Sequence, residues 1–374
     1  MSLHSRDRSQ SSRSSPGGAG RLVARGSAEN PANRFERLSL EPDGETLDAD
    51  AAAEEGPAAP SPTRFYDDPS RALLAHNQSP DLGFDTSLNP YRGCEHGCTY
   101  CYARPMHEYL GFSAGLDFET RILVKRDAPA LLRKAFSARR WKPRVVALGA
   151  ATDPYQPVER RLRLTRGCLE VFAEFRNPVA IVTKGAGITR DLDLLRELAD
   201  HRCVSANVSI TTLDDRLRRL LEPRASSPRK RLEAVEALAR AGIPVRVMVA
   251  PVIPGLTDHE IPRLVQAAAD AGAGGARMLL LRLPHGVADL FEAWLERHFP
   301  ERKAKVLGRI RTLRGGRLND SRFHARFRGS GLYAEQLESI FALALRRAGL
   351  ADVEPVAFST AAFRRPPSPQ LSLF

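Results

Sequence analysis

The sequence predicts an α/β protein built on a parallel sheet with helices on its outside, arranged either as a partial barrel or as a doubly wound sheet. Three observations carry this. Six short apolar runs rich in β-branched residues and leucine recur after residue 120. Amphipathic stretches of helical period separate them, and after residue 285 the pattern turns wholly helical. Continuous apolar runs mark strands buried on both faces, and their alternation with helices marks β-α units.

In chain order, residues 1–62 are rich in Ser, Gly, Ala, Pro and charge with few large apolar side chains. Such a segment buries too little surface to offset its conformational entropy and is expected to be disordered. Order is expected from about Phe65-Tyr66. The strand candidates are Thr120–Lys125, Arg144–Gly149, Val179–Thr183, Val204–Ile210, Val245–Val249 and Arg277–Leu283. The helix candidates are about 127–140, 159–176, 189–201, 228–241 and 259–271. In the fourth of these, Leu232, Val235 and Leu238 form the apolar stripe, and Glu233, Glu236 and Arg240 face water. Helices at about 286–298, 300–313 and 334–348 follow. The predicted organisation is a core at 63–290, a helical basic extension at 291–360 and a flexible tail at 361–374.

At 374 residues, 43% hydrophobic and 27% charged, the chain has ordinary globular composition. No apolar run approaches the ~20 residues of a membrane span. The opening Met-Ser-Leu-His-Ser-Arg has no apolar targeting core, so a cytoplasmic location is expected. The formal net charge of +12 suits a polyanionic partner such as nucleic acid, although an arginine-rich proteome produces the same bias.

Of five cysteines, three fall within eight residues as Cys94-x3-Cys98-x2-Cys101, flanked by Gly93 and Gly97. Cys168 and Cys203 lie alone, in helical and pre-strand positions, and read as small buried hydrophobes. This is a metal site rather than a disulfide framework. Three thiolates can ligate three irons of a cubane, leaving one iron open to a non-protein ligand. A zinc site with His96 or a distant cysteine as fourth ligand competes, as does chance.

Cys94-x3-Cys98-x-Tyr100-Cys101 resembles the signature of the radical S-adenosylmethionine (SAM) superfamily. The wider stretch NPYRGCEHGCTYCYARP, with TDPYQPVE at Thr152–Glu159 and TKG at Thr183–Gly185, is similar to the spore photoproduct lyase-like branch, including its uncharacterised members. The resemblance implies a partial (β/α)6 barrel, with Phe84–Leu88 as first strand and 120–125 as second element or insertion. It implies a [4Fe–4S] cluster on Cys94, Cys98 and Cys101. That cluster binds SAM through the open iron and cleaves it reductively to a 5′-deoxyadenosyl radical, drawing on an electron donor. Tyr100 and Tyr102 would lie near the adenine and the cluster, and Gly149–Asp153, including Thr152 and Asp153, near the methionyl end. Lys184 would meet the carboxylate or ribose, and Asn207 and Ser209 the ribose or carboxylate. Bland roles compete: core aromatics for the tyrosines, a turn or helix cap for Thr152-Asp153, ordinary strand positions for Asn207 and Ser209. No catalytic residue is assigned. One departure argues against the same lesion chemistry: where the spore lyase carries a hydrogen-donating cysteine, Ala150 and Ala151 stand here.

Two features bear on the substrate. Between Arg302 and Arg328 ten basic residues share the chain with Phe323 and Phe327, a mix that can track phosphates and stack on bases, or simply form a solvated face over core aromatics. The last five residues, Gln370, Leu371, Ser372, Leu373 and Phe374, resemble the peptide by which bacterial repair proteins dock on the replication sliding clamp. The expectation is a radical SAM enzyme acting on DNA or another nucleic acid, in repair. The alternatives are a radical SAM maturase for a peptide or small molecule, and a non-enzymatic Fe–S or zinc nucleic-acid-binding module.

Overall fold

The computed structural model describes residues 25–35, 62–354 and 356–366. Among these residues, ten strands form two sheets. The larger has the order β10-β9-β8-β7-β6-β3-β2. Its strands are β2 (Leu74–His76), β3 (Thr86–Leu88), β6 (Val146–Leu148), β7 (Val179–Thr183), β8 (Val204–Ser209), β9 (Val245–Val252) and β10 (Ala276–Leu280). All neighbours run parallel except the edge strand β2, which is antiparallel to β3. The six parallel strands follow one another in chain order. Right-handed crossovers without a reversal put every connecting helix on one face, so the sheet is a partial barrel rather than a doubly wound one.

The strand expected at 120–125 is not part of this sheet. It forms β5 (Arg121–Val124), the centre of a small sheet between β1 (Arg64–Asp67) and β4 (Tyr91–Arg92). It is therefore an insertion between the first two barrel strands.

The crossover helices are α2 (Ala128–Ser137), α4 (Leu164–Phe175), α5 (Leu192–Asp200), α7 (Pro228–Arg240) and α8 (Ile261–Asp270). Three shorter helices precede their neighbours: α1 (Asp117–Thr120), α3 (Glu159–Leu162) and α6 (Asp215–Leu221). Helix α7 starts where Ser227 caps Lys230 N–H and Pro228 supplies a fixed φ. Its buried stripe is Arg231, Ala234, Val235 and Leu238, while Leu232 is only half-buried.

Strand register divides the large sheet into two unlike faces. One carries Val179, Ile181, Val204, Ala206, Val208, Val247 and Val249, all fully buried under the helices. Burying each valine or isoleucine there contributes about 1.5–3 kcal/mol. The other face carries register partners Ala147, Ala180 and Ser205, then Val182, Asn207 and Arg246, then Ser209, Met248 and Arg277. It is small and polar, with Ala180, Val182, Asn207, Arg246 and Met248 half-buried.

The extension comprises α9 (Val287–His298), α10 (Pro300–Leu313), α11 (Ala325–Arg328) and α12 (Leu332–Arg347). Phe291 and Trp294, stacked at 5.5 Å, join Leu217, Leu221 and Ile253 in a second apolar core. Helix α12 lies against α8. Within the N-terminal stretch expected to be disordered, residues 25–35 lie against the insertion: Gly26 and Ser27 N–H donate to the Glu119 carboxylate at 2.9 and 2.8 Å. The rest of that stretch, and the tail residues Gln370–Phe374, lie outside the described residues.

Candidate functional site

The cysteine loop follows β4, just beyond the first barrel strand. Residues 93–100 have no regular structure, yet all are buried. A buried irregular backbone must find partners away from water. Cys94 N–H donates to Phe118 O at 2.9 Å, Thr99 N–H to Leu221 O at 3.0 Å, and Arg224 N–H to His96 O at 3.3 Å. Gly93 (φ +81°) and Gly97 (φ +66°) are required twice over. A Cβ would stand 2.9 Å from Phe118 O at the first and 2.5 Å from Glu119 Oε2 at the second.

The TDPYQP segment after β6 grips this loop. Thr152 Oγ1 donates to Gly93 O at 2.6 Å, and Gln156 accepts from Glu95 N–H at 2.9 Å. Asp153 accepts from Thr183 Oγ1 at 2.6 Å, Lys184 N–H at 2.7 Å and Tyr155 N–H at 2.9 Å. Burial alone would raise its pKa, but His96 beside it at 3.3 Å and these hydrogen bonds outweigh that and hold it at about 2. Thr152 and Asp153 thus spend their polar atoms on the loop and the β7 end. Glu159, the first residue of α3, is buried and joins Tyr91 OH to Arg190 and Thr165 N–H.

Behind Cys98 lies a buried network in which sequence reasoning saw only Tyr100 and Lys184. Tyr100 OH bonds Glu222 and lies 3.1 Å from Thr211 Oγ1. Glu222 also bonds Arg231, accepts from Thr211 at 2.7 Å, and has Lys184 Nζ at 3.6 Å. Burial opposes ionisation of Glu222, but the Arg231 and Lys184 charges prevail and hold it well below the ordinary carboxylate range. Lys184 Nζ donates to Ala250 O at 3.1 Å. On the insertion side, fully buried Arg104 holds Cys98 O, Ala114 O, Gly115 O and the Glu119 carboxylate. The one local signal for Arg231 was a charge standing four residues before Val235, on the apolar stripe of its helix.

Tyr102 is exposed on one face, its hydroxyl bonded to Ala150 O and its ring 4.9 Å from the Arg282 guanidinium. Asn207 donates to Ile181 O at 3.1 Å, and Ser209 is buried beside it on the polar sheet face. The structure therefore brings Tyr100 and Lys184 together behind the loop. Thr152 and Asp153 sit under it, and Asn207 and Ser209 sit on the neighbouring sheet face.

Whether the loop suits an iron–sulfur cluster can be tested on its sulfurs. Cys94 and Cys98 are buried and Cys101 nearly so, and among the described residues no thiol of the three donates to an oxygen, whereas backbone N–H groups of His96 and of Ala103 and Arg104 face the sulfurs of Cys94 and Cys101. By contrast, Cys203 Sγ sits 3.2 Å from Arg176 O. Burial pushes all three thiols up, and Asp153, Cys98 and Cys101 push Cys94 further. Glu222 pushes Cys98 further up, and Lys184 and Arg231 offset part of that rise. Among the described residues no three His, Cys, Asp or Glu side chains converge on one ion. A cubane takes one protein sulfur per iron, so three thiols that donate to no oxygen, along a glycine-flanked loop, fit it. Cys168 and Cys203 are buried in the apolar core as expected. No helix among the described residues is long and apolar enough to cross a membrane.

Comparison with known proteins agrees with this geometry. Residues 88–268 match the radical SAM superfamily. An uncharacterised protein of Mycobacterium tuberculosis is 41% identical over 222 residues, 59% of this chain and 65% of that protein. The chain thus spans just under two thirds of the length of this relative. A radical SAM Nalpha-GlyT isomerase of Pseudomonas phage M6 is 30% identical over 176 residues, 46% of this chain and 34% of the isomerase. Spore photoproduct lyase complexed with dinucleoside spore photoproduct shares the fold, with a TM-score of 0.54 at 18% identity over 77% of this chain and 80% of that one. Residues 88–268, which hold the cysteine loop and most of the parallel sheet, thus match a superfamily whose members use a [4Fe–4S] cluster and SAM.

Proposed function

We propose that the chain is a radical SAM enzyme acting on a nucleic acid, with Cys94, Cys98 and Cys101 each holding one iron of a [4Fe–4S] cluster. The observation that carries this reading is the buried, glycine-flanked three-cysteine loop beside the polar face of an open parallel sheet. When bound, the cluster and SAM supply a 5′-deoxyadenosyl radical by one-electron cleavage of the S–C5′ bond.

The chain's own residues bind, orient and exclude water. Tyr100, fixed by Glu222 and Thr211, forms a rigid wall behind Cys98. Lys184 offers a cation at the end of β7, suited to a carboxylate. Asn207 and Ser209 offer polar groups on the open face, suited to a ribose. Thr152 and Asp153 act by holding the loop and the β7 end. Ala150 and Ala151 provide no sulfur next to Tyr102, so any hydrogen returned to a product comes from elsewhere than in the spore lyase.

Support for a nucleic-acid substrate is the net charge of +12 and the dinucleoside-bound protein that shares the fold. The basic stretch 302–328 supports it less than its composition suggests. Lys303, Arg309, Arg322 and Arg326 are paired with carboxylates of this chain. A sliding clamp reached through Gln370–Phe374 and an external electron donor complete the proposal.

The test is anaerobic reconstitution with iron and sulfide, reduction, and incubation with SAM, with and without single-stranded or damaged DNA. The expected result is 5′-deoxyadenosine whose yield rises with DNA. Zinc in place of iron, or no 5′-deoxyadenosine, overturns the enzyme reading. A yield indifferent to DNA but raised by peptides overturns the substrate class.

A further inference from the structure

Arg282 is the second residue beyond β10, so it stands at the lip formed by the C-terminal strand ends, where sheet proteins of this class hold their ligands. Its neighbours Leu281 and Leu283 are buried in the apolar core that also contains Cys98 and Tyr100, which places Arg282 beside the cysteine loop. Its guanidinium lies over the Tyr102 ring at 4.9 Å and the Phe327 ring at 5.6 Å.

This cation is unusual in its partners. Arg282 makes no hydrogen bond or ion pair among the described residues, and its Nε is buried without a partner. Beside it, Arg326 is held 4.8 Å over the same Phe327 ring and is neutralised by Asp81 at 2.5 Å. Beneath it, buried Arg314 donates to Leu281 O at 2.8 Å and Ala325 O at 2.6 Å, with its own Nε unpartnered. Three guanidinium groups therefore share one neighbourhood, and the central one has no ion-pair partner among the described residues; Asp81, paired with Arg326, acts on it only from a distance. Burial, and secondarily the Arg326 charge, push the Arg282 pKa down, so the positive charge is held there at a cost. Stacking on two rings fixes the planar fork while leaving its donors free, the arrangement that suits a bidentate oxyanion.

We propose that Arg282 is an oxyanion subsite that receives a phosphate of the substrate and holds it against the rings of Tyr102 and Phe327, next to the cysteine loop. This rests on the nucleic-acid reading above. The same fork could take the carboxylate of SAM, so the experiment separates the two sources.

The full chain, anaerobically reconstituted, is titrated with a fluorescein-labelled single-stranded oligonucleotide, with inorganic phosphate as competitor, and separately with SAM. Arg282→Ala is expected to weaken oligonucleotide binding about tenfold or more and to lower the log–log salt slope by about one, with SAM affinity unchanged. Arg282→Lys, which keeps charge but not the fork, falls between. Asp81→Asn releases Arg326 and is expected to tighten binding by about threefold, a gain that misfolding does not produce. Oligonucleotide affinity within twofold of wild type in Arg282→Ala, or no tightening in Asp81→Asn, overturns the subsite while leaving the nucleic-acid reading standing. Loss of SAM affinity alone reassigns the fork to the SAM carboxylate and overturns it as well. If wild type ignores the oligonucleotide yet inorganic phosphate raises its melting temperature, and does so only with Arg282 present, the subsite stands and the nucleic-acid reading falls.

Discussion

Removing the Glu119 carboxylate tests how the N-terminal strap, the insertion and the cysteine loop are joined. Glu119 is fully buried and accepts from Gly26 N–H at 2.9 Å, Ser27 N–H at 2.8 Å and Arg104 Nη2 at 2.5 Å. In Glu119→Ala two backbone donors lose their partner and the fully buried Arg104 loses its only counter-charge among the described residues. Arg104 keeps its bonds to Cys98 O, Ala114 O and Gly115 O, so it stays buried and bears the penalty. Breaking a buried pair from one side costs about 3–5 kcal/mol, a large share of the roughly 5–15 kcal/mol that stabilises a typical domain. With a urea slope of about 3 kcal/mol/M, the unfolding midpoint should fall by about 1–2 M. Glu119→Gln keeps one acceptor oxygen and should lose about half as much. Urea unfolding followed by far-UV circular dichroism measures the midpoint, and limited proteolysis reports release of residues 25–35. A midpoint lowered by less than about 0.3 M would refute the idea that this carboxylate joins the three elements.

Further outcomes follow from other sites. Cys94→Ala, Cys98→Ala and Cys101→Ala should each abolish most iron uptake on reconstitution, whereas Cys168→Ala and Cys203→Ala should leave it unchanged; iron and sulfide assays decide. Gly97→Ala forces a side chain into φ +66° and to 2.5 Å from Glu119 Oε2, so it should cost about 1–3 kcal/mol and impair cluster loading, read by denaturation and iron content. His107 is buried with Nε2 2.9 Å from Arg121 O, and burial pushes its pKa from 6.5 to about 4. It is neutral in the folded chain but protonates in the unfolded chain below 6.5, so folded stability is full above that pH and declines toward 4. The loss reaches at most about 3 kcal/mol. His107→Gln should flatten that slope in unfolding measured at pH 7 and pH 4.5, and an unchanged slope would count against the assignment.

Much of the fold was legible because β7, β8 and β9 are continuous apolar runs and the helices between them carry clean stripes. The edges were not. Strands β1, β2 and β4 are two to four residues long and read RFYD, LAH and YR, too short and too polar to separate from loop. The strand at 121–124 looked like a barrel strand because its own residues are apolar. Only its pairing with β1 and β4 shows otherwise, and pairing is not a local property. At the site, cysteine spacing exposed the loop, since ligand geometry is written in sequence. The groups that hold the loop were hidden: Arg104 and Glu119 meet across 15 residues, Tyr100 and Glu222 across 122. A buried charge gains its meaning from a partner brought close by folding.

The alternation along β7, β8 and β9 also shapes how such a protein can change over evolutionary time. Residues that hold the helices and residues that face the open side occupy alternate positions of the same strands. Exchanging Val182 or Met248 would reshape the open face while leaving the helix-facing valines in their own alternate positions. New specificities can therefore arise by single steps, each starting from an intact scaffold.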